Sequence, residues 1–235
     1  MKVRWFVFGV VAAVALALPY TVQAQVLDDN FDSYAAGSTI IGQGGWEGWG
    51  GTSTPNATVV NTYSHSSPNS LAVSGGCDVV QQFSGVNSGL WYAKAWTYVP
   101  SNQTGDMFFI LLNTYTHAGT NNNWSVQVAL CNSACGNGTA GMVANLGGSD
   151  VAGTETTPLL TDQWVELVVE INLSANLYNV YYNGVMFVSA ATWTVSGLQE
   201  IQCMDLYSDL SSESYMDDAW LHTDWPVTLQ SFDVE

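Results

Sequence analysis

The sequence predicts an all-β protein in which two antiparallel sheets form a sandwich. Along most of the chain, apolar residues alternate with polar ones, and no segment of a dozen residues carries the apolar stripe of a helix. Short stretches rich in Gly, Asn and Ser separate the alternating runs. Alternation buries one face of a sheet and exposes the other, so two such sheets must pack against each other to form a core.

Six alternating runs predict the main strands. They occupy residues 90–100, 107–113, 123–131, 164–173, 177–189 and 215–222. Turn compositions such as SNQTGD and SDLSSES lie between them. Asn183 and Gly184 divide the fifth run into a β-hairpin, because the two-residue turn typical of Asn-Gly needs a positive φ at both positions.

The two ends of the chain differ in composition from the body. Residues 1–24 combine a basic start, an apolar run shorter than the roughly 20 residues of a spanning helix, and the small residues Val22 and Ala24 around Gln23. They predict a cleaved secretory signal, with an uncleaved membrane anchor as the alternative. Residues 25–223 are expected to form the sandwich. Residues 224–235 are expected to be a tail, either an edge strand or a linker to a missing sorting region.

The net charge of the chain limits the classes of partner that it can bind. The chain has 20 acidic residues against three Lys and Arg, for a formal net charge of −17. Signal cleavage would remove Lys2 and Arg4 and leave Lys94 as the one Lys or Arg. Such a surface cannot neutralise phosphates, which argues against nucleic acid and anionic lipid, and no later segment is long and apolar enough for membrane insertion. It attracts cations, calcium above all, and the predicted export indicates an extracellular or cell-surface location.

Four cysteines in an exported chain predict disulfides. Cys131 and Cys135 lie four residues apart in a Gly/Asn/Ser-rich loop, so a local bond is the first choice, and it would pair Cys77 with Cys203. The other connectivities and a metal site remain alternatives.

The stretch from Trp164 to Gly184 carries a family resemblance. WVELVVEINLSANLYNVYYNG resembles the W…V…YVNG pattern of laminin-G-like and other concanavalin A-like jelly rolls, and residues 28–49 and 215–221 resemble the first and last strands of bacterial secreted modules of that superfamily. The resemblance implies two curved sheets, frequent sugar ligands and a structural calcium between the first segment and the final strand. On this sequence the calcium ligands would be Asp32 with Asp217 or Asp218, and plain turn residues are the alternative.

Two glutamates on one strand are the catalytic candidates. Glu166 and Glu170 share a strand face, and one jelly-roll glycosidase type uses a Glu-x-Asp-x-Glu strand. Here Val168 replaces the central acid, and the two Cα atoms would be about 13 Å apart. Retaining hydrolysis needs carboxyl groups about 5–5.5 Å apart, which favours an ordinary solvent face.

An aromatic face is the candidate sugar-binding surface. Flat rings stack on the apolar side of a sugar, while amide and amino groups bond its hydroxyls. The strand at 90–100 would present Tyr92, Lys94 and Trp96 on one face. Tyr115 and Gln127 would extend this face if their strands are its neighbours. Trp46 and Trp49, in a Gly-rich loop, would add two indoles. Alternatively, Lys94 pairs with Glu166 or Glu170, and the two loop tryptophans cover the core.

The sequence therefore predicts a secreted, calcium-stabilised, lectin-like module that binds a glycan without cleaving it. One alternative is a structural surface protein that self-associates through sheet edges or its tail. The other is a glycoside hydrolase that uses Glu166 and Glu170.

Overall fold

Two antiparallel sheets contain the strands of the described part of the chain. The structure, a computed structural model, describes residues 26–118 and 120–223. The strands of this part of the chain are β1 (Leu27–Asp29), β2 (Trp46–Gly48), β3 (Thr58–Val60), β4 (Ser70–Val73), β5 (Asp78–Gln82), β6 (Leu90–Tyr98), β7 (Asp106–Thr114), β8 (Asn123–Cys131), β9 (Met142–Asn145), β10 (Thr156–Pro158), β11 (Trp164–Asn172), β12 (Leu177–Tyr182), β13 (Val185–Thr192), β14 (Cys203–Asp209) and β15 (Ser214–His222).

The strand order confirms the predicted sandwich. Sheet I runs β13-β12-β11-β6-β15-β4-β3, and β1 pairs with β15 beside this path. Sheet II runs β10-β9-β8-β7-β14-β5-β2. Every neighbouring pair of strands is antiparallel. The first and last strands are adjacent, as the resemblance implied.

The predicted hairpin is also confirmed. Asn183 and Gly184 link β12 to β13 and have φ values of 50° and 71°, the left-handed conformation that this turn requires. Alternation on the neighbouring strands then fixes which side chains face inward. On β6, Trp91, Ala93 and Ala95 are buried in the core between the sheets.

Sheet II has an apolar cluster on its outer face as well. Val80, Phe108, Ile110, Leu112 and Cys203 are among its buried members, and they are separate from the core between the sheets. Trp49, Trp124, Leu146 and Tyr207 pack partly buried against this cluster. An outer sheet face that is both apolar and partly covered is a place to look for a ligand site.

One of the two predicted disulfides is present. Cys131 and Cys135 are bonded, with Cα atoms 5.8 Å apart. The Cys77–Cys203 pair was wrong: both are free and buried. In the β5–β14 pairing Cys203 lies opposite Gln82, five residues along the strand from Cys77, a distance of about 17 Å that no disulfide spans.

The signal at 1–24 and the tail at 224–235 lie outside the described residues and stay predictions. Within the described ranges, no helix is long and apolar enough to cross a membrane.

Candidate ligand-binding groove

A groove of about 550 Å³ lies on the outer face of sheet II. This volume is within the range of about 300–1,000 Å³ typical of small-molecule sites. The groove combines aromatic rings, amides and carboxyl groups, and its lining residues are Trp49, Asp78, Phe108, Ile110, Trp124, Gln127, Asn137, Leu146, Asp205, Tyr207 and Asp209.

Two indoles form an aromatic wall of the groove. The rings of Trp49 and Trp124 are stacked, with centroids 5.7 Å apart and an angle of 16° between their planes. Tyr115 meets Trp49 edge-on at 5.1 Å, and its hydroxyl accepts a hydrogen bond from the N–H of Gly50. Gly50 has a φ of 62°, a conformation available to glycine that turns the chain directly after Trp49. The loop geometry therefore positions the first indole against the second, which projects from β8.

Polar side chains at the rim are held in place by hydrogen bonds. The Asn137 amide donates to Asp209 Oδ2 at 2.6 Å, and the Gln127 amide donates to the carbonyl of Gly147. The loop that carries Asn137 is anchored by the buried Asp106 carboxylate, which accepts the N–H groups of residues 136, 137 and 138. Amide oxygens and carboxylates at such a rim can accept hydrogen bonds from hydroxyl groups.

Two carboxyl groups meet in the groove. Asp78 is on β5 and Asp205 on β14, next to each other in sheet II. Burial raises the pKa of Asp78 to about 6, and burial together with the charge of Asp78 raises the pKa of Asp205 well above its usual range. Oδ1 of each residue is buried and has no hydrogen-bond partner.

The structure divides the predicted sugar-binding residues between the two sheets. Trp49 and Gln127 line the groove, and Tyr115 supports it. Trp46 is 1 % exposed and lies in the core, where its ring is 5.9 Å from that of Phe31. The expectation that Tyr115 and Gln127 extend the β6 face was wrong, because β7 and β8 belong to sheet II while β6 belongs to sheet I.

The side chains on the outer face of β6 are engaged with their neighbours. The ring of Trp96 is stacked on His65 at 3.7 Å, and Lys94 Nζ lies 5.2 Å above the ring of Trp220. Tyr92 is buried, at 8 % exposure. This face is a set of packed cross-strand pairs, which agrees with the alternative interpretation of these residues.

The two glutamates of β11 also interact with neighbouring side chains on the outer face of sheet I. Glu166 Oε1 is 3.5 Å from Lys94 Nζ, which confirms the alternative interpretation that Lys94 pairs with Glu166 or Glu170. Glu170 Oε1 accepts a hydrogen bond from the amide of Asn179 at 2.7 Å. The glutamates have different partners and are not brought together as a reacting pair.

The predicted calcium ligands already accept hydrogen bonds. Asp217 accepts the N–H groups of His65, Ser66 and Asp218, and Asp218 contacts the His65 ring. Asp32 accepts the N–H of Asn69 and the amide of Asn30. Calcium needs six to eight oxygen ligands, so these carboxylates would have to exchange some of their N–H donors for the ion. The calcium site at these residues stays a prediction.

Within the described ranges, one cluster of three potential metal ligands is present, Asp106 with Cys131 and Cys135. The two cysteines are in a disulfide and provide no thiolate, so this cluster is not a metal centre.

The residues that the sequence interpretation missed are Asp78, Asp205, Phe108, Trp124 and Tyr207. Asp78 and Asp205 are far apart in sequence and become neighbours through the β5–β14 pairing. The sequence did carry a signal for Asp205, because an acidic residue within an apolar strand, as in CMDLYSD, is unusual.

No protein-family model and no curated protein matches this sequence. Solved structures match its fold. A sialidase structure has a TM-score of 0.56 and 12% identity over 87% of this chain, which spans 19% of that protein. The catalytic domain of a glycoside hydrolase family 131 protein from Coprinopsis cinerea has a TM-score of 0.55 and 15% identity, with 89% of this chain and 98% of that chain covered. A GH131 β-glucanase catalytic domain from Podospora anserina has a TM-score of 0.50 and 11% identity, with 77% and 86% covered. At these identities the likeness shows the β-sandwich fold.

Proposed function

We propose that this protein is an exported carbohydrate-binding module that holds a neutral saccharide in the groove of sheet II. The observation that carries the proposal is the combination of indole rings and hydrogen-bonding side chains in one open groove of about 550 Å³. Sugars present an apolar face to aromatic rings and hydroxyl groups to amides and carboxylates, so the lining matches both parts of the ligand. The resemblance to concanavalin A-like jelly rolls supports the same class of ligand.

The charges of the groove favour a neutral saccharide. Asp78, Asp205 and Asp209 line it, whereas Lys94, the one Lys or Arg in the described ranges, lies on sheet I. An anionic sugar would meet acidic groups with no Lys or Arg to balance them. Uncharged hydroxyls are donors that these acceptors can use.

The carboxyl geometry favours binding over hydrolysis. Glycosidases place two carboxyl groups about 5–5.5 Å apart for retention or 6.5–9.5 Å for inversion, so that the scissile bond lies between them. Asp78 and Asp205 project side by side from neighbouring strands, so they do not flank a bound sugar from two sides of the groove. Glu166 and Glu170 lie on the other sheet with their own partners.

A glycan array followed by calorimetry tests the proposal. The array should identify one or more neutral glycans, and titration of the soluble glycan should give saturable binding with one site per chain. Incubation of the same glycan with the protein should release no reducing sugar. Failure to bind any neutral member of a broad array would overturn the proposal, and release of reducing sugar would replace a binding module with a hydrolase.

A further inference from the structure

We propose that Asp78 and Asp205 form a binding site for one divalent cation with a preference for oxygen ligands, Ca²⁺ in particular, at the groove of sheet II. This site is separate from the one that the sequence suggested at Asp32, Asp217 and Asp218. It does not depend on which ligand the groove accepts.

The first argument is the placement of the two carboxyl groups. They project from neighbouring strands to the same side of sheet II, and both line the groove. Two neighbouring carboxylates repel each other, and a cation bound between them removes that repulsion. The described residues provide no Lys or Arg for that purpose, since Lys94 is committed to Glu166 on the other sheet.

The second argument is the free coordination capacity of these side chains. Asp205 is 3 % exposed and lines the groove, yet its Oδ1 has no hydrogen-bond partner. Asp78 Oδ1 is also buried and has no hydrogen-bond partner. A buried acceptor without a hydrogen-bond partner destabilises the native state, and a charged one does so more strongly. The buried carboxylates Asp106 and Asp217, by contrast, each accept three backbone N–H groups.

The third argument concerns the type of ion. The atoms offered are carboxylate oxygens, which suit hard cations such as Ca²⁺ and Mg²⁺. Cys203 is two residues from Asp205, but it is buried and its thiol donates to the carbonyl of Met204. It therefore offers no thiolate to a softer metal. Ca²⁺ tolerates irregular geometry and accepts water or hydroxyl oxygens for the rest of its six to eight positions, which an open groove supplies.

Calorimetric titration of the full chain with CaCl₂, without any glycan, tests the site. The wild-type protein should bind one Ca²⁺ per chain in this groove, and Asp78→Asn and Asp205→Asn should each weaken that binding by tenfold or more. Both substitutions keep the side-chain shape and remove a charge, and circular dichroism checks that the variants are folded. Asp162→Asn is the matched control, because Asp162 is an exposed carboxylate bonded to the N–H of Ser101.

Tb³⁺ luminescence gives a second readout that locates the ion. Tb³⁺ replaces Ca²⁺ and emits when a nearby indole is excited, so the double variant Trp49→Phe, Trp124→Phe should lose most of the emission, while Trp96→Phe should keep it. The proposal is overturned if the wild type shows no saturable binding of Ca²⁺, if either Asp variant loses less than tenfold in affinity, or if the emission survives loss of both groove indoles. Because no glycan is present, failure here leaves the proposed saccharide binding standing.

Discussion

The indole rings of Trp49 and Trp124 stack at 5.7 Å although they come from distant parts of the chain, a Gly-rich turn and strand β8. The contact brings the turn after β2 over the outer face of sheet II, where Tyr115 holds it through the N–H of Gly50. It closes an aromatic wall of the groove beside Asp78 and Asp205. The groove is therefore built by long-range pairing, and its residues can be tested one at a time.

Anchoring of the rim loop by Asp106 predicts a large effect on stability. The fully buried Asp106 carboxylate accepts three backbone N–H groups, and Asp106→Asn would replace an accepting oxygen with an amide that competes as a donor. We expect the free energy of unfolding to fall by about 2–3 kcal/mol, measured by urea denaturation. The exposed Asp162, which accepts the N–H of Ser101, is the control, and Asp162→Asn should lower the free energy of unfolding much less. Equal losses in the two variants would contradict the anchoring role.

The buried Asp217 predicts a pH dependence of stability. Burial, followed by the charge of Asp218, raises the pKa of Asp217 to about 7 from 3.8, despite its three N–H donors. The native state then holds this proton more tightly than the unfolded chain, so its contribution is present at low pH and is lost as the pH rises from about 4 to about 7. The wild type should lose stability relative to Asp217→Asn over that window in urea titrations at successive pH values. A difference that stays constant with pH would show that Asp217 titrates normally.

The ion pair of sheet I predicts a salt-dependent effect without a functional one. Glu166→Gln should lower the free energy of unfolding by about 1 kcal/mol at low salt, because Lys94 loses its charged partner. The loss should shrink as salt is added. Glu170→Gln is the matched comparison: it keeps an acceptor for Asn179 and should show little salt dependence. Neither variant should change glycan affinity. A large loss of affinity in either variant would indicate that the glycan binds to sheet I.

The free cysteines predict a simple thiol count. Cys77 and Cys203 are buried, and burial raises the pKa of Cys77 to about 12. A thiol reagent at neutral pH should therefore react with the native protein very slowly and with two thiols per chain after denaturation without reductant. The variant Cys135→Ser should add one thiol by freeing Cys131. If the denatured wild-type chain had no reactive thiol, a Cys77–Cys203 disulfide would be indicated instead.

The sequence was informative where alternation continues over eight or nine residues. Strands β6, β8 and β11 have one apolar and one mixed face, so their inward residues, such as Trp91 and Leu167, were predictable. Strands of three to five residues, including β2 and β5, are too short to show a period and were not identified.

The groove was harder to predict from the sequence because both faces of its central strand β7 are apolar. Strand β7 is buried along nearly its whole length because Phe108 and Ile110 belong to the outer cluster while Phe109 and Leu111 fill the core. When both faces of a strand are apolar, the sequence does not show which one forms a groove. The proximity of Asp78 to Asp205 depends on the β5–β14 register, and the packing of His65 on Trp96 joins two segments that are distant in sequence.

Fluorescence titration of two tryptophan variants with the best neutral glycan from the array is the most direct test of the account. Trp124→Ala removes a groove ring and should weaken binding about tenfold or more, which corresponds to about 1.4 kcal/mol. Trp96→Ala removes an indole of similar partial exposure from the other sheet and should leave the affinity unchanged. Loss of binding in Trp96→Ala with retention in Trp124→Ala would place the ligand on sheet I and contradict the account.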